Sequence, residues 1–296
     1  MAFRLALYAA HPEFVTDFDI LYYAAAHTLR GENPYPISHR WSYYPLYYPF
    51  PAVLLATPFT ILPIQWARPL FDIVVGCAFA YAMWRYRGPY ALIAVTSGAF
   101  LFALRNGQLT PLIVAAALMR VLSFLLVVKP NTGLAVWIWH PDRRAVMGGM
   151  LVLAFSVALL PSWPLDWWLA LHVQNEHLLP PLFRPYGFLL LLAALRWRTA
   201  EGRLLLATAF IPQNVLPHEL VPLALIPSNG IEMSIFSIGS WLTLFFAGRA
   251  WGTPDFTVPG LNRASWPAIL LAVYLPMLYL VLKKRNDREA SPRSRL

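Results

Sequence analysis

Long charge-free runs decide what this chain can fold into. Between Arg40 and Arg68 there is no Asp, Glu, Lys or Arg, and the same is true from Ala145 to Leu165 and from Ala264 to Leu282. Each run is about the ~20 residues that a helix, rising ~1.5 Å per residue, needs to cross a ~30 Å hydrocarbon core. Only 12% of the 296 residues are charged, roughly half the share found in soluble globular proteins. The runs are continuous rather than alternating with period two, which excludes a β-barrel. The sequence therefore predicts an all-α, polytopic membrane protein.

The net charge of +9 points to a nucleic-acid partner until the positives are placed along the chain. Six of the 23 fall in the last fourteen residues, from Lys283 to Arg295, and others cluster at Arg85 and Arg87, at Arg143 and Arg144, and at Arg196, Arg198 and Arg203. Basic clusters between apolar segments mark the cytoplasmic face of a membrane protein, so no nucleic-acid partner is expected. The single cysteine, Cys77, lies in an apolar segment and supplies neither a disulfide nor a paired metal site.

With the region around Asp17 outside, these clusters divide the chain consistently. Segments 67–84 and 89–105 cross inward and back around Arg85 and Arg87, and 108–119 returns to Arg120. The stretch 121–139 is split at Lys129-Pro130-Asn131-Thr132-Gly133. Proline and glycine leave backbone groups that lipid cannot satisfy, so two half-helices meeting on the outer side are expected there. Residues 145–161 lead outward to a loop, 161–186, whose Trp163, Trp167 and Trp168 suit the interfacial belt. Segment 183–197 returns, 204–226 forms a second interrupted hairpin broken at Pro212-Gln213-Asn214 and Pro217-His218-Glu219, and 233–248 and 265–282 complete the set. This amounts to about nine to eleven transmembrane or half-membrane helices. One membrane-embedded domain, 1–282, is expected, with an exterior loop over 12–63 and membrane helices over 64–282, followed by a basic cytoplasmic tail, 283–296.

Residues 1–46 differ from the rest. Met1 to His11 offers about ten apolar residues, too few to span, and lacks the basic start and cleavage site of a signal peptide. Either a first transmembrane helix is missing, or the following helix translocates this end. Phe14 to Leu29 reads as an amphipathic helix, with Phe18, Leu21, Tyr22 and Ala25 at helical spacing and Gly31-Glu32-Asn33-Pro34 as its terminator. Five prolines between Trp41 and Pro63 favour helices that lie along the membrane or re-enter it.

Scarce charge makes each ionisable residue informative. Asp17 and Asp19 are candidates for a general base beside a membrane-level cavity, where desolvation strengthens a carboxylate as a base. Headgroup-level solvation is the alternative. Residues i and i+2 do not share a helix face, so at most one enters such a cavity, and spacing does not choose. Lys129 is the only lysine before the tail. It stands inside a hydrophobic segment, where an ion costs at least a few kcal/mol and marks a functional site by default; a lysine snorkelling to the interface is the bland reading. Arg105-Asn106-Gly107-Gln108 either binds phosphate or sugar hydroxyls through Arg105 and Gln108 or caps two helices. His218 and Glu219 are costly in a bilayer and either pair with one another or serve a site. No histidine pair has metal-ligand spacing within a helix, so no metal site is expected.

These residues resemble a known family. Asp17-Phe18-Asp19-Ile20-Leu21-Tyr22-Tyr23-Ala24-Ala25-Ala26, followed by Leu29-Arg30-Gly31-Glu32-Asn33-Pro34-Tyr35, looks like the first exterior loop of glycosyltransferase family 87. Tyr48-Pro49-Phe50-Pro51, Leu62-Pro63, Gly107-Gln108, Val128-Lys129-Pro130 and Pro217-His218-Glu219 follow in matching order, so the resemblance spans about residues 14 to 230. The family's members are membrane enzymes of the GT-C type that use polyprenyl-phosphate sugars, such as mannosyltransferases and arabinofuranosyltransferases.

The resemblance implies a GT-C-like fold and an inverting transfer, with no cofactor, from a polyprenyl-phosphate sugar donor to a lipid-linked or glycan acceptor. Asp17, placed by its distance to Asn33-Pro34-Tyr35, would deprotonate the acceptor hydroxyl, with Asp19 beside it. Lys129, His218 and Arg105 would stabilise the departing phosphate. Tyr22, Tyr23, Gln108 and Glu219 complete the expected substrate contacts. It also implies a multi-pass protein of the plasma (inner) membrane, among membrane lipids, with the site on the exterior or periplasmic side and the C-terminus cytoplasmic. A transporter or lipid flippase without covalent chemistry is the competing reading, because broken helices also build transport sites.

Overall fold

The computed structural model describes residues 16–40, 45–172, 179–214, 216–250 and 265–284. Met1 to His11 and the tail after Lys284 lie outside the described residues, so the expectations for them have no structural counterpart here. Every regular element among the described residues is helical.

The first helix, α1 (Asp17–Thr28), starts where Thr16 closes a capping box: the Thr16 hydroxyl accepts from the Asp19 amide and the Asp19 carboxylate accepts from the Thr16 amide. It ends at Thr28, and the turn that follows passes through Gly31, whose φ of +79° suits glycine. Next come α2 (Phe50–Ala56) and a 24-residue helix, α3 (Ile64–Arg87). The segment expected as one crossing over 89–105 is two pieces, a 3-10 helix over Pro89–Thr96 and α4 (Gly98–Arg105). Ser97 divides them, its side chain accepting from the Phe100 amide as an N-cap. After the turn at Asn106 and Gly107 come α5 (Thr110–Leu118), a 3-10 helix over Arg120–Val128, and α6 (Pro130–Trp139). The expected break at Lys129 is therefore present, and Gly133 lets α6 lie against the Leu126 backbone, where any Cβ would run into the Leu126 carbonyl.

Then come α7 (Arg143–Leu159) and α8 (Trp163–His172), the latter inside what reads from sequence as loop. A 3-10 helix over Gly187–Arg196 and α9 (Ala200–Phe210) precede a second break, after which a 3-10 helix over Pro217–Leu225 carries the His-Glu pair. The last two helices among the described residues are α10 (Gly230–Ala250) and α11 (Ser265–Lys283), which contains a π-helical turn over Leu270–Tyr274.

Among the described residues two helices, α3 and α11, are long and apolar enough to cross a membrane, or up to four spans result if the sharply bent pairs α4 with α5 (118°) and α7 with α8 (97°) each count as one. The expected nine to eleven elements include half-membrane helices, and the remaining apolar segments among the described residues are such shorter pieces. The 3-10 segments rise about 2 Å per residue, so eight to ten residues cover more distance than they would in an α-helix.

The elements cross-pack around a core of alanine, aliphatic and aromatic side chains, with Phe18, Phe50, Phe79, Phe236 and Tyr274 among the largest that are fully buried. α5 is apolar on almost every face and touches α3, α6 and the helices over 120–128 and 217–225. α4 packs on 217–225 and on α10, while α9 packs on α6 and on 187–196. Outward faces carry large apolar side chains, such as Met147, Met150, Leu151 and Phe155 of α7.

Candidate functional site

The polar core lies where four helix N-termini converge. Asp17 opens α1, Thr110 opens α5, Lys129 is the residue before α6, and His218 and Glu219 fall in the first turn of the helix over 217–225. The positive ends of their peptide dipoles all enter one region. Asp17 and Glu219 complement those dipoles, whereas Lys129 opposes the dipole of its own helix and needs an anion beside it.

Hydrogen bonds join these residues into one chain. The Asp17 carboxylate accepts from the Tyr48 hydroxyl at 2.6 Å and from Gln108 Nε2 at 2.6 Å. Gln108 Oε1 in turn accepts from Lys129 Nζ at 3.0 Å. Lys129 also donates to Thr110 Oγ1 at 2.7 Å and pairs with Glu219 Oε1 at 3.0 Å. That same oxygen lies 3.4 Å from His218 Nε2, and the other Glu219 oxygen accepts from Thr132 at 3.4 Å. Phe102 stacks on the His218 ring, and His218 Nδ1 is buried without a hydrogen-bond partner. Lys129 and Glu219 are each only 7% exposed, so their charges are held by one another rather than by water. Asp17, by contrast, is half-buried and reachable.

Gly107 brings Asp17 to Gln108. Its φ is +62°, and a Cβ there would approach Phe18 Cβ to 2.7 Å, so only glycine fits. The turn it makes lets the Asp17 amide donate to the Asn106 carbonyl at 3.0 Å.

Tyr48, like Thr110 and Thr132, joins this chain without standing out in the sequence as a site residue. Burial first, and then the Asp17 carboxylate, push its phenol well above the ordinary tyrosine value, so it remains a donor. Its backbone is held from two sides: Tyr35 donates to the Tyr48 carbonyl at 3.0 Å, and Trp167 of α8 donates to the Tyr47 carbonyl at 2.8 Å. Asn33 ties the same loop to α8 through Asp166 at 2.8 Å. The Asn33-Pro34-Tyr35 motif thus supports the segment that aims Tyr48.

Other expected residues lie elsewhere. Asp19 is a structural carboxylate, fully buried, accepting from Arg68 Nε at 2.5 Å and Arg68 Nη2 at 3.0 Å as well as from the Thr16 amide at 2.7 Å. Two residues after Asp17 on a helix, it faces α3 rather than the chain of polar groups, which corrects its expected catalytic place. Tyr22 donates to the Leu62 carbonyl at 2.8 Å, and Tyr23 packs edge-on against Tyr22, so both rings belong to the packing around α1. Arg105 is exposed at the end of α4, three residues before Gln108. Among the described residues no group of three His, Cys, Asp or Glu side chains could hold a metal ion.

The basic clusters gather at the opposite end of the molecule. Arg87 donates to the carbonyls of Leu225 and Pro227 at 3.0 and 2.7 Å, and Lys284 caps Ile226 while pairing with Glu201 at 3.1 Å. Arg196 donates to the Leu282 carbonyl at 3.1 Å, and Arg203 to those of Ile138 and Trp139, both at 3.0 Å. Both α6 and the helix over 217–225 therefore run from the polar chain at their N-termini to arginine or lysine at their C-termini. No protein-family profile, characterised protein or solved structure matches this chain.

Proposed function

We propose that this protein is a membrane glycosyltransferase that moves a sugar from a polyprenyl-phosphate donor to an acceptor hydroxyl with inversion. The observation that carries this reading is the hydrogen-bonded chain from Asp17 through Gln108 to Lys129, which puts a reachable carboxylate and a buried cation at two ends of one amide. A transfer of this kind needs both. The acceptor O–H gives its proton to Asp17, its oxygen bonds to the anomeric carbon, and the bond from that carbon to the phosphate oxygen breaks. The electron pair leaves with the phosphate, which Lys129 and the converging helix N-termini stabilise. Tyr48 and Gln108 orient the Asp17 carboxylate.

An open apolar groove of about 260 Å³, lined by Leu126, Val127, Pro130, Leu134, Trp137 and Val146, supports a prenyl-linked substrate. It follows α6 from the residues that flank Lys129 towards the basic end. The segregation of arginine and lysine at that end supports a multi-pass arrangement with the basic end cytoplasmic and Asp17 exterior. The donor class and the sugars follow from the resemblance to glycosyltransferase family 87.

The test is turnover by the reconstituted protein with polyprenyl-phosphate mannose and polyprenyl-phosphate arabinofuranose. Asp17→Asn keeps acceptors for Tyr48 and Gln108 but removes the base, so the rate should fall by about 10²-fold or more while the thermal midpoint holds. Unchanged turnover ends the proposed role. Saturable lipid movement in proteoliposomes with no covalent product from either donor would favour the flippase reading instead.

A further inference from the structure

Lys129 has no donor left for a ligand. An ammonium offers three N–H groups, and Gln108, Thr110 and Glu219 take one each at 3.0, 2.7 and 3.0 Å. A phosphate can reach Lys129 only by replacing one of them. Gln108 and Thr110 are neutral and are fixed by the turn that also builds Asp17's surroundings. Glu219 is the only charged partner of the three, and its remaining side-chain contacts, His218 and Thr132, are both long, at 3.4 Å.

We infer that Glu219 is an internal competitor for the anion site on Lys129, holding the cation in the empty protein and giving way to an incoming phosphate. The inference rests on the reading of Lys129 as the phosphate-binding cation and adds how that site is kept closed. In physical terms, a buried ammonium needs a counter-charge at all times. Glu219 supplies it until a phosphate does, and His218, whose Nε2 faces the same Glu219 oxygen, lies next to the carboxylate when it moves off. The arrangement also selects for charge, because a neutral group cannot replace a carboxylate on a buried lysine.

The experiment measures binding of farnesyl phosphate, with farnesol and inorganic phosphate as separate arms, to the detergent-purified full chain. Glu219→Gln keeps an acceptor for Lys129 and removes only the charge. Farnesyl phosphate is expected to bind this variant about tenfold more tightly than wild type, the equivalent of ~1.4 kcal/mol, with farnesol binding unchanged and Lys129→Met abolishing the gain. Inorganic phosphate showing the same ratio would place the recognition in the phosphate alone; a ratio confined to farnesyl phosphate would place it in a lipid headgroup. Either result supports the exchange.

Lys129-dependent binding that Glu219→Gln weakens or leaves alone overturns the exchange and keeps Lys129 as the phosphate site. Binding indifferent to Lys129 overturns both. Should Glu219→Gln not fold, wild type carries the test through its infrared carboxylate bands, with glutamate isotope-labelled. Farnesyl phosphate, but not farnesol, should shift one glutamate band as the carboxylate leaves Lys129, and an unmoved spectrum overturns the exchange.

Discussion

Replacing Arg68 by methionine should destabilise the protein far more than loss of an ordinary surface ion pair. Asp19 is fully buried, and its carboxylate accepts three hydrogen bonds, two of them from the Arg68 guanidinium, whose side chain is 13% exposed. Arg68→Met removes both and leaves a buried carboxylate facing one backbone amide. Two charge-assisted bonds at about 1.5–3 kcal/mol each, and the ~3–5 kcal/mol seen when one partner of a buried pair is removed, agree on the magnitude. For a chain this long that corresponds to a thermal midpoint lower by about 6–20 °C. The double variant Asp19→Asn/Arg68→Met should recover most of the loss, because asparagine retains an oxygen for the Thr16 amide and carries no charge. The assay is thermal unfolding of the purified single and double variants in one detergent. A loss for Arg68→Met below about 1 kcal/mol, the range of exposed pairs, would refute the reasoning, as would a double variant no more stable than the single one.

Three further outcomes follow from the geometry. Lys129→Met should cost about 3–5 kcal/mol by leaving Glu219 uncompensated, and Lys129→Met/Glu219→Gln should restore much of it, as read by thermal midpoints. Gly133→Ala should cost about 1–3 kcal/mol or more by forcing α6 away from the Leu126 carbonyl, read as reduced folded yield and a lower midpoint. Tyr35 is held above its ordinary value by burial first and by Asp166 second, so its neutral form belongs to the fold. The unfolded phenol loses its proton near pH ~10. This contribution is therefore complete below that pH and declines as pH rises beyond it, and Tyr35→Phe should flatten the alkaline decline in a midpoint-against-pH series.

What was legible in the sequence was legible because charge is scarce. Asp17, Lys129, His218 and Glu219 stand out of apolar surroundings, and the structure joins them through Gln108, which the glycine turn beside it made conspicuous. Tyr48 carries no such contrast: it is one of 14 tyrosines, and only its partners distinguish it. Asp17 and Asp19 were inseparable by spacing, since the difference between them is made by Arg68, 49 residues from Asp19. Tyr22 and Tyr23 stand out in the sequence as aromatics suited to a sugar, but which face of α1 they occupy depends on packing partners far along the chain, such as the Leu62 carbonyl. The breaks at Lys129 and before Pro217 were readable from proline and glycine. The 3-10 segments were not, because an apolar run reads the same whether it winds with three or 3.6 residues per turn.

Arg68 and Arg87, near the two ends of α3, turn that helix into a ruler. Arg68 near its start is tied to Asp19, and Arg87 at its end is tied to the carbonyls at the basic end. Nineteen residues separate them, or about 29 Å of helix at ~1.5 Å per residue, close to the ~30 Å thickness of a bilayer's hydrocarbon. On the proposed topology one arginine sits at each water boundary. Asp17, two residues from the carboxylate that holds Arg68, then lies at headgroup depth, where a lipid-borne phosphate can arrive by lateral diffusion while an acceptor enters from the aqueous side.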